Sequence, residues 1–160
     1  MTMRIEVMSR KNAILYSQKS TYENLAIISI SDCNKEFANF ENVTYLLRLK
    51  FDDVEQGDYN CITFEQAVQI KLFVNSIRNN VSLLIVHCEA GISRSAGIAA
   101  ALMKVIYGHD WKIFESNMYC PNMTCYRIVL DAFHDNSTED EINAKEAKSI
   151  NLFREKHNLD

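Results

Sequence analysis

The residues best suited to chemistry lie in one stretch, LLIVHCEAGISRSAGIAAALM, at positions 83–103. His87 and Cys88 close an apolar run, Arg94 follows the cysteine by six positions, and Ser93 and Ser95 flank the arginine. Residues 81–86 are apolar nearly throughout, which predicts a central strand covered on both faces. A helix is expected after the arginine. A strand running into a helix places the loop between them at the carboxyl edge of a sheet, where α/β proteins hold their ligands. If residues 89–94 curl ahead of that helix, several backbone N–H groups converge and the helix N-terminus adds partial positive charge, which makes a cradle for an anion. Gly91 lets the loop adopt conformations closed to other residues, and Arg94 can grip two oxygens of a tetrahedral oxyanion at once. Phosphate is the natural occupant. The same field favours a negative sulfur, so Cys88 is expected as a thiolate aimed at phosphorus.

His87, Cys88, Gly91, Ser93, Arg94 and Ser95 fill all the characteristic positions of a His-Cys-x-x-Gly-x-Ser-Arg-Ser loop. In this the chain resembles the dual-specificity branch of the protein tyrosine phosphatases. Ala-Ala-Leu-Met at 100–103 is similar to the family's following helix, and Pro121-Asn122 is similar to the Ser-Pro-Asn that opens its next one. The resemblance covers about residues 25–133. It implies Cys88 as nucleophile, with Arg94 and the amides of Glu89, Ala90, Gly91, Ile92 and Ser93 binding phosphate. It further implies that the Ser95 hydroxyl stabilises the departing thiolate, that His87 bonds the loop backbone, and that Asn122 braces the loop from the side. The family also uses an aspartate upstream as general acid, and Asp52, Asp53 and Asp58 are the candidates. The family's apolar-x-apolar-x-Asp ending falls on Leu49, Phe51 and Asp53, so Asp53 is the expected acid, Asp52 the alternative and Asp58 an ordinary loop residue. Two-step transfer through a cysteinyl phosphate is implied, with no metal or organic cofactor.

The variable loop positions are Glu89, Ala90 and Ile92. Phosphoinositide phosphatases of this superfamily place lysines there, whereas an acidic, apolar loop repels polyanions. The expected partner is therefore a phosphorylated protein or peptide carrying phosphotyrosine, with phosphoserine or phosphothreonine admitted by a shallow pocket. Two alternatives stand beside this: a phosphoprotein-binding pseudophosphatase that keeps the cradle without turnover, and an RNA 5'-phosphatase, which should favour a basic channel.

Other elements must position these groups. Strands are expected at 5–8, 25–30, 43–51 and 81–86. Between the last two, Phe64, Ala67, Ile70, Phe73, Val74 and Ile77 recur at helical spacing behind a Thr63/Gln66 capping box, and Asn79 and Asn80 should end that helix. Further helices are expected at 96–107 with Gly108 at the end, at 122–133, and at 139–157 behind a Thr138/Glu141 capping box. Strands alternating with helices imply an α/β fold, a mostly parallel central sheet flanked by helices on both faces. The family resemblance implies that this is the Cys-x5-Arg phosphatase fold. The strand order is not legible.

A single domain over 1–160 is expected from a chain of 160 residues, 48% of them hydrophobic and 24% charged. Residues 134–160 are polar and expected as a solvated terminal helix. The net charge of −4 offers no basic face for nucleic acid. Charges interrupt every apolar run near the N-terminus, so neither a signal peptide nor a membrane span is expected, and cytoplasm is the default location. The five cysteines form no close pair, which argues against a disulfide framework or a zinc site. Cys33, Cys61, Cys120 and Cys125 are expected as small buried hydrophobes. Tyr45, Phe51, Phe64, Phe73 and Tyr107 have core spacing, whereas Tyr59, in the loop before the long helix, could line the pocket mouth, although a structural role is expected for all of them. His109, His134 and His157 are expected at the surface.

Overall fold

The computed structural model describes residues 2–21 and 24–159. Four strands, β1 (Arg4–Ser9), β2 (Leu25–Ser31), β3 (Tyr45–Lys50) and β4 (Leu83–Cys88), form one sheet in the order β1-β4-β2-β3. Every neighbouring pair is parallel. The register sets Ser9 beside Cys88 and Ser29 beside His87. All four strands therefore end at one edge, and the segments leaving Ser9, Ser31, Lys50 and Cys88 emerge there together.

Alternation along the strands divides the core. Ala26, Ile28, Ile30, Leu84 and Val86 face the larger side, packed by α2 (Phe64–Ile77), α3 (Arg94–Tyr107) and α5 (Met123–Ala132). Leu25, Ile27, Leu83 and Ile85 face the other side, where Ala13 of α1 (Arg10–Lys19) meets them with Met8, Phe40 and Val43. The expected α/β sheet with both faces covered is the fold observed. The capping box at Thr63 and Gln66 opens α2, and a left-handed Gly108 (φ 83°) closes α3. Helix α2 ends at Ile77 with Arg78 as its cap, slightly before the two asparagines.

Two helices were not visible in the sequence. In α1 only Ala13 and Ser17 are buried, so no stripe of large apolar residues announces it. The other, α4 (Trp111–Phe114), is a single turn. The terminal helix α6 (Glu139–His157) also corrects an expectation, because it docks rather than floats. Ile142 and Ser149 are buried, and Lys145 Nζ sits 2.8 Å from Asp110 Oδ2, which also accepts from the Tyr126 hydroxyl. Lys148 reaches Glu115, and Arg127 reaches Glu139. Burial and the Asp110 carboxylate push the Tyr126 phenol up, so it stays the donor.

Several aromatic and cysteine expectations are corrected as well. Phe64, the first residue of α2, is half exposed, and Tyr59, in the loop before that helix, is 89% exposed. Cys125 is buried, whereas Cys33, Cys61 and Cys120 are only partly covered. Among the described residues no helix is long and apolar enough to cross a membrane.

Candidate active site

Cys88 is the last residue of β4 and is 3% exposed, with its Sγ 3.0 Å from the Ser95 Oγ in the first turn of α3. The loop between them leans on the β1–α1 junction. A Cβ at Gly91 would stand 2.5 Å from both the Met8 carbonyl carbon and the Ser9 nitrogen, and its φ is +69°. Glycine is required there on both counts. The Arg10 amide donates to the Glu89 carbonyl across the same contact (3.1 Å).

His87 is fully buried beneath the loop. Its Nδ1 lies 3.0 Å from the Cys88 carbonyl, which can only accept, so Nδ1 carries the proton. Nε2 then accepts from the Ser29 hydroxyl at 2.6 Å. Burial pulls the imidazole below its ordinary pKa, which keeps it neutral in this role.

Arg94 opens α3 and is 4% exposed. Its Nη1 donates to the Phe51 carbonyl (2.7 Å) and pairs with Asp32 Oδ1 (2.8 Å). Its Nε is buried and has no partner among the described residues. The N-cap of α3 is equally unusual, because Ser93 makes no side-chain bond to its own helix and donates instead to Asp53 Oδ1 at 2.8 Å. The first N–H groups of α3 are thus left without a side-chain cap. An unpartnered guanidinium nitrogen and a helix N-terminus without a side-chain cap are groups that can receive an anion.

The two adjacent aspartates go separate ways. Asp53 Oδ1 accepts from Ser93 and from the Asn122 amide (2.9 Å), so Asp53 stands over the loop. Asp52 turns toward β2, accepting from the Cys33 amide (2.9 Å) and Asn60 Nδ2 (3.0 Å). Those bonds, the Cys33 amide foremost, hold its carboxyl below the usual carboxylate range. Asp58 is exposed, in the turn that precedes α2. Asn122 ties three elements: its amide N–H donates to the Ser93 carbonyl, its side chain donates to Asp53 and to the Val54 carbonyl, and its Oδ1 caps α5 through Cys125. Glu89 and Ala90 are exposed, while Gly91, Ile92 and Ser93 are partly covered.

Sequence reasoning did not single out Asp32, Lys35 or Ser29. Lys35 Nζ lies 3.5 Å from Glu89 and 3.7 Å from Asp32, so it links the β2 loop to the candidate phosphate loop. The available signal was positional, since Asp32 directly follows a strand that ends at the same sheet edge as Cys88.

No protein-family model and no curated protein matches this chain. Solved structures do. DUSP15 aligns at a TM-score of 0.59 with 22% identity, over 89% of this chain and 90% of its own. Human DUSP28 aligns at 0.52 with 12% identity over 95% and 94%. The human tyrosine phosphatase-like serine/threonine/tyrosine-interacting protein aligns at 0.50 with 21% identity over 92% and 93%. The chain shares their fold nearly end to end.

Proposed function

We propose that this protein is a cysteine-dependent phosphoprotein phosphatase acting on phosphotyrosine, and on phosphoserine or phosphothreonine where its pocket admits them. The observation that carries this reading is Arg94: a guanidinium fixed through Nη1 to Asp32 and the Phe51 carbonyl, with Nε buried and unpartnered among the described residues, at the start of the helix whose next residue, Ser95, meets the Cys88 sulfur. A buried, unsatisfied cationic donor is costly unless an anion completes it.

In the first step the Cys88 thiolate attacks phosphorus in line, and the bond to the leaving oxygen breaks. Arg94 and the loop amides, from Glu89 to Arg94, stabilise the equatorial oxygens. Asp53 delivers a proton to the leaving oxygen. Both of its hydrogen bonds among the described residues fall on Oδ1, which leaves Oδ2 to carry that proton. In the second step water attacks the cysteinyl phosphate, Asp53 takes the water proton, and the Ser95 hydroxyl donates to the departing thiolate. His87 and Asn122 hold the loop and the acid in place. Asp52 is committed to Cys33 and Asn60, which supports Asp53 over it as the acid.

The test is phosphate release from p-nitrophenyl phosphate and from phosphopeptides. Cys88→Ser should abolish turnover while retaining phosphopeptide binding. Asp53→Asn should lower kcat on phosphopeptides by about 10²–10⁴-fold, and Asp52→Asn should keep most of it. Full activity in Cys88→Ser would end the covalent mechanism. A wild-type protein that binds phosphopeptides without turnover would establish the pseudophosphatase instead, and release confined to RNA 5'-phosphates would establish the RNA reading.

A further inference from the structure

A groove of about 690 Å³ runs away from the candidate active site, between the Asp53 loop, the start of α5 and the inner face of α6. Its volume is within the range of ligand clefts. Asp53, Ser93 and Asn122 form the end nearest the chemistry, and Glu55, Glu139 and Glu146 line it further out. Arg127 is the one cation among the lining residues, and its charge is already met, with Nε on Glu139 (2.7 Å) and Nη2 on Asn143 (2.9 Å). Glu55 and Glu146 make no such pair among the described residues, although Arg154 lies near enough to Cys120 to act on it.

Two further observations bear on the groove. Ser149, on the α6 wall, is 1% exposed, and its buried hydroxyl has no partner among the described residues. A buried hydroxyl without a partner in a residue that lines a groove calls for an explanation, and an incoming polar group would supply one. The Glu55–Gln56 turn is also pinned, because the Gln56 amide donates to the Thr124 hydroxyl of α5 (2.9 Å). The negative field is felt inside the groove: burial first, then Asp53 and Glu146, push the Cys120 thiol up.

We infer that this groove receives a lysine or arginine side chain of the substrate, lying within a few residues of the phosphorylated one. The inference rests on the phosphatase reading and names the substrate class for that site: a phosphopeptide with a basic flank. Substrate cation and groove carboxylates are complementary, and the groove is continuous with the acid that protonates the leaving oxygen. A basic flank in the groove would align the phosphoryl group over Cys88, whereas an acidic flank would meet like charge.

The test is a set of phosphotyrosine peptides of one core sequence with Lys, Ala or Glu at successive positions on either side, assayed for kcat/KM in low and high salt. With two unpaired carboxylates in play, the best Lys peptide should exceed its Glu counterpart by about tenfold in low salt, and salt should shrink that ratio. Glu55→Gln combined with Glu146→Gln should erase the preference, and Glu146→Lys should invert it. Turnover of p-nitrophenyl phosphate, which has no flank, should be unchanged in all of them. Equal kcat/KM for Lys and Glu peptides, or a preference that survives both neutralisations, overturns the inference while leaving the phosphatase reading intact. If p-nitrophenyl phosphate is not hydrolysed at all, the phosphatase reading fails. The same peptides measured for binding by fluorescence anisotropy then decide the groove by the same ratios.

Discussion

Gly97→Ala tests whether helix packing places Asp53, the proposed general acid. Gly97 sits in the interior of α3, where alanine is favoured intrinsically by up to about 1 kcal/mol. A Cβ there would stand 2.3 Å from the Asn122 carbonyl oxygen and 3.1 Å from the Cys125 Cβ. Carbon–oxygen contacts settle at about 3.3–3.6 Å, so the start of α5 must retreat by roughly 1 Å. Overpacking of this kind costs about 1–3 kcal/mol, and after the helix-propensity gain the net loss is at most about 2 kcal/mol. The larger effect is on chemistry. Asn122 holds Asp53 through a 2.9 Å bond and the loop after Cys88 through its backbone amide on the Ser93 carbonyl. A 1 Å retreat that Asp53 did not follow would stretch the first of these past hydrogen-bonding range, and misplacement on that scale costs about 10²-fold in rate. Steady-state kinetics on an aryl phosphate with a poor leaving group, beside p-nitrophenyl phosphate and a thermal melt, reads both effects. The expected result is a Tm lowered by a few degrees and a kcat loss concentrated on the poor leaving group. Wild-type kcat there with a raised Tm would show that the α3–α5 contact does not set the position of Asp53.

Two other perturbations have defined outcomes. Gly91→Ala would force a side chain into the left-handed region, at about 1–2 kcal/mol, and press it into the Met8–Ser9 backbone at about 1–3 kcal/mol more. Its urea midpoint should fall accordingly, along with affinity for vanadate or inorganic phosphate, and an unchanged midpoint would mean that the loop does not rest on β1. His87 gives stability a pH dependence of definite sign. Its native pKa is lowered by burial, so above the unfolded value of about 6.5 the two states bind equal protons, and as pH falls below 6.5 only the unfolded state takes one up. Stability should therefore decline by up to about 1.4 kcal/mol per pH unit between pH 6.5 and the native pKa. Denaturant titrations of wild type and His87→Asn across pH 7.5 to 5 should show that slope in the wild type alone, and parallel curves would refute it.

Much of the fold was legible because its signals are local. Apolar runs marked the strands, capping boxes at Thr63 and Thr138 marked two helix starts, and Gly108 marked an end. What stayed hidden depends on tertiary contact. The order β1-β4-β2-β3 is a set of long-range pairings, and Asp32 acquires its partner only because β2 ends next to β4. Helix α6 looked solvated because its anchor is the polar Lys145–Asp110–Tyr126 cluster rather than an apolar stripe. The motif ranked Asp53 above Asp52, but what each carboxylate touches was not legible. Successive residues on extended chain point to opposite sides, and which side holds Cys33 and which holds Ser93 is a matter of the folded loops.

The candidate site is where local preference gives way most visibly, and the departures share one direction. Ser93 occupies an N-cap position yet spends its hydroxyl on Asp53, forgoing a capping bond worth about 1 kcal/mol. Arg94 keeps a buried Nε without a partner, which costs about 1–3 kcal/mol or more for a charged group. Gly91 takes a left-handed conformation jammed against a neighbouring strand. All three fall within residues 91–94, the segment that leads from Cys88 into α3, and none of them adds stability by itself. Sequences tend to agree with their folds at every level except where function demands otherwise. The paired half of the Arg94 guanidinium shows how such a site is kept without collapse: Asp32 and the Phe51 carbonyl fix Nη1 from behind, so the free edge cannot turn away to satisfy itself. Among the described residues Nε is left without an acceptor of its own, and on the proposed reading an oxygen of the substrate phosphoryl group completes it.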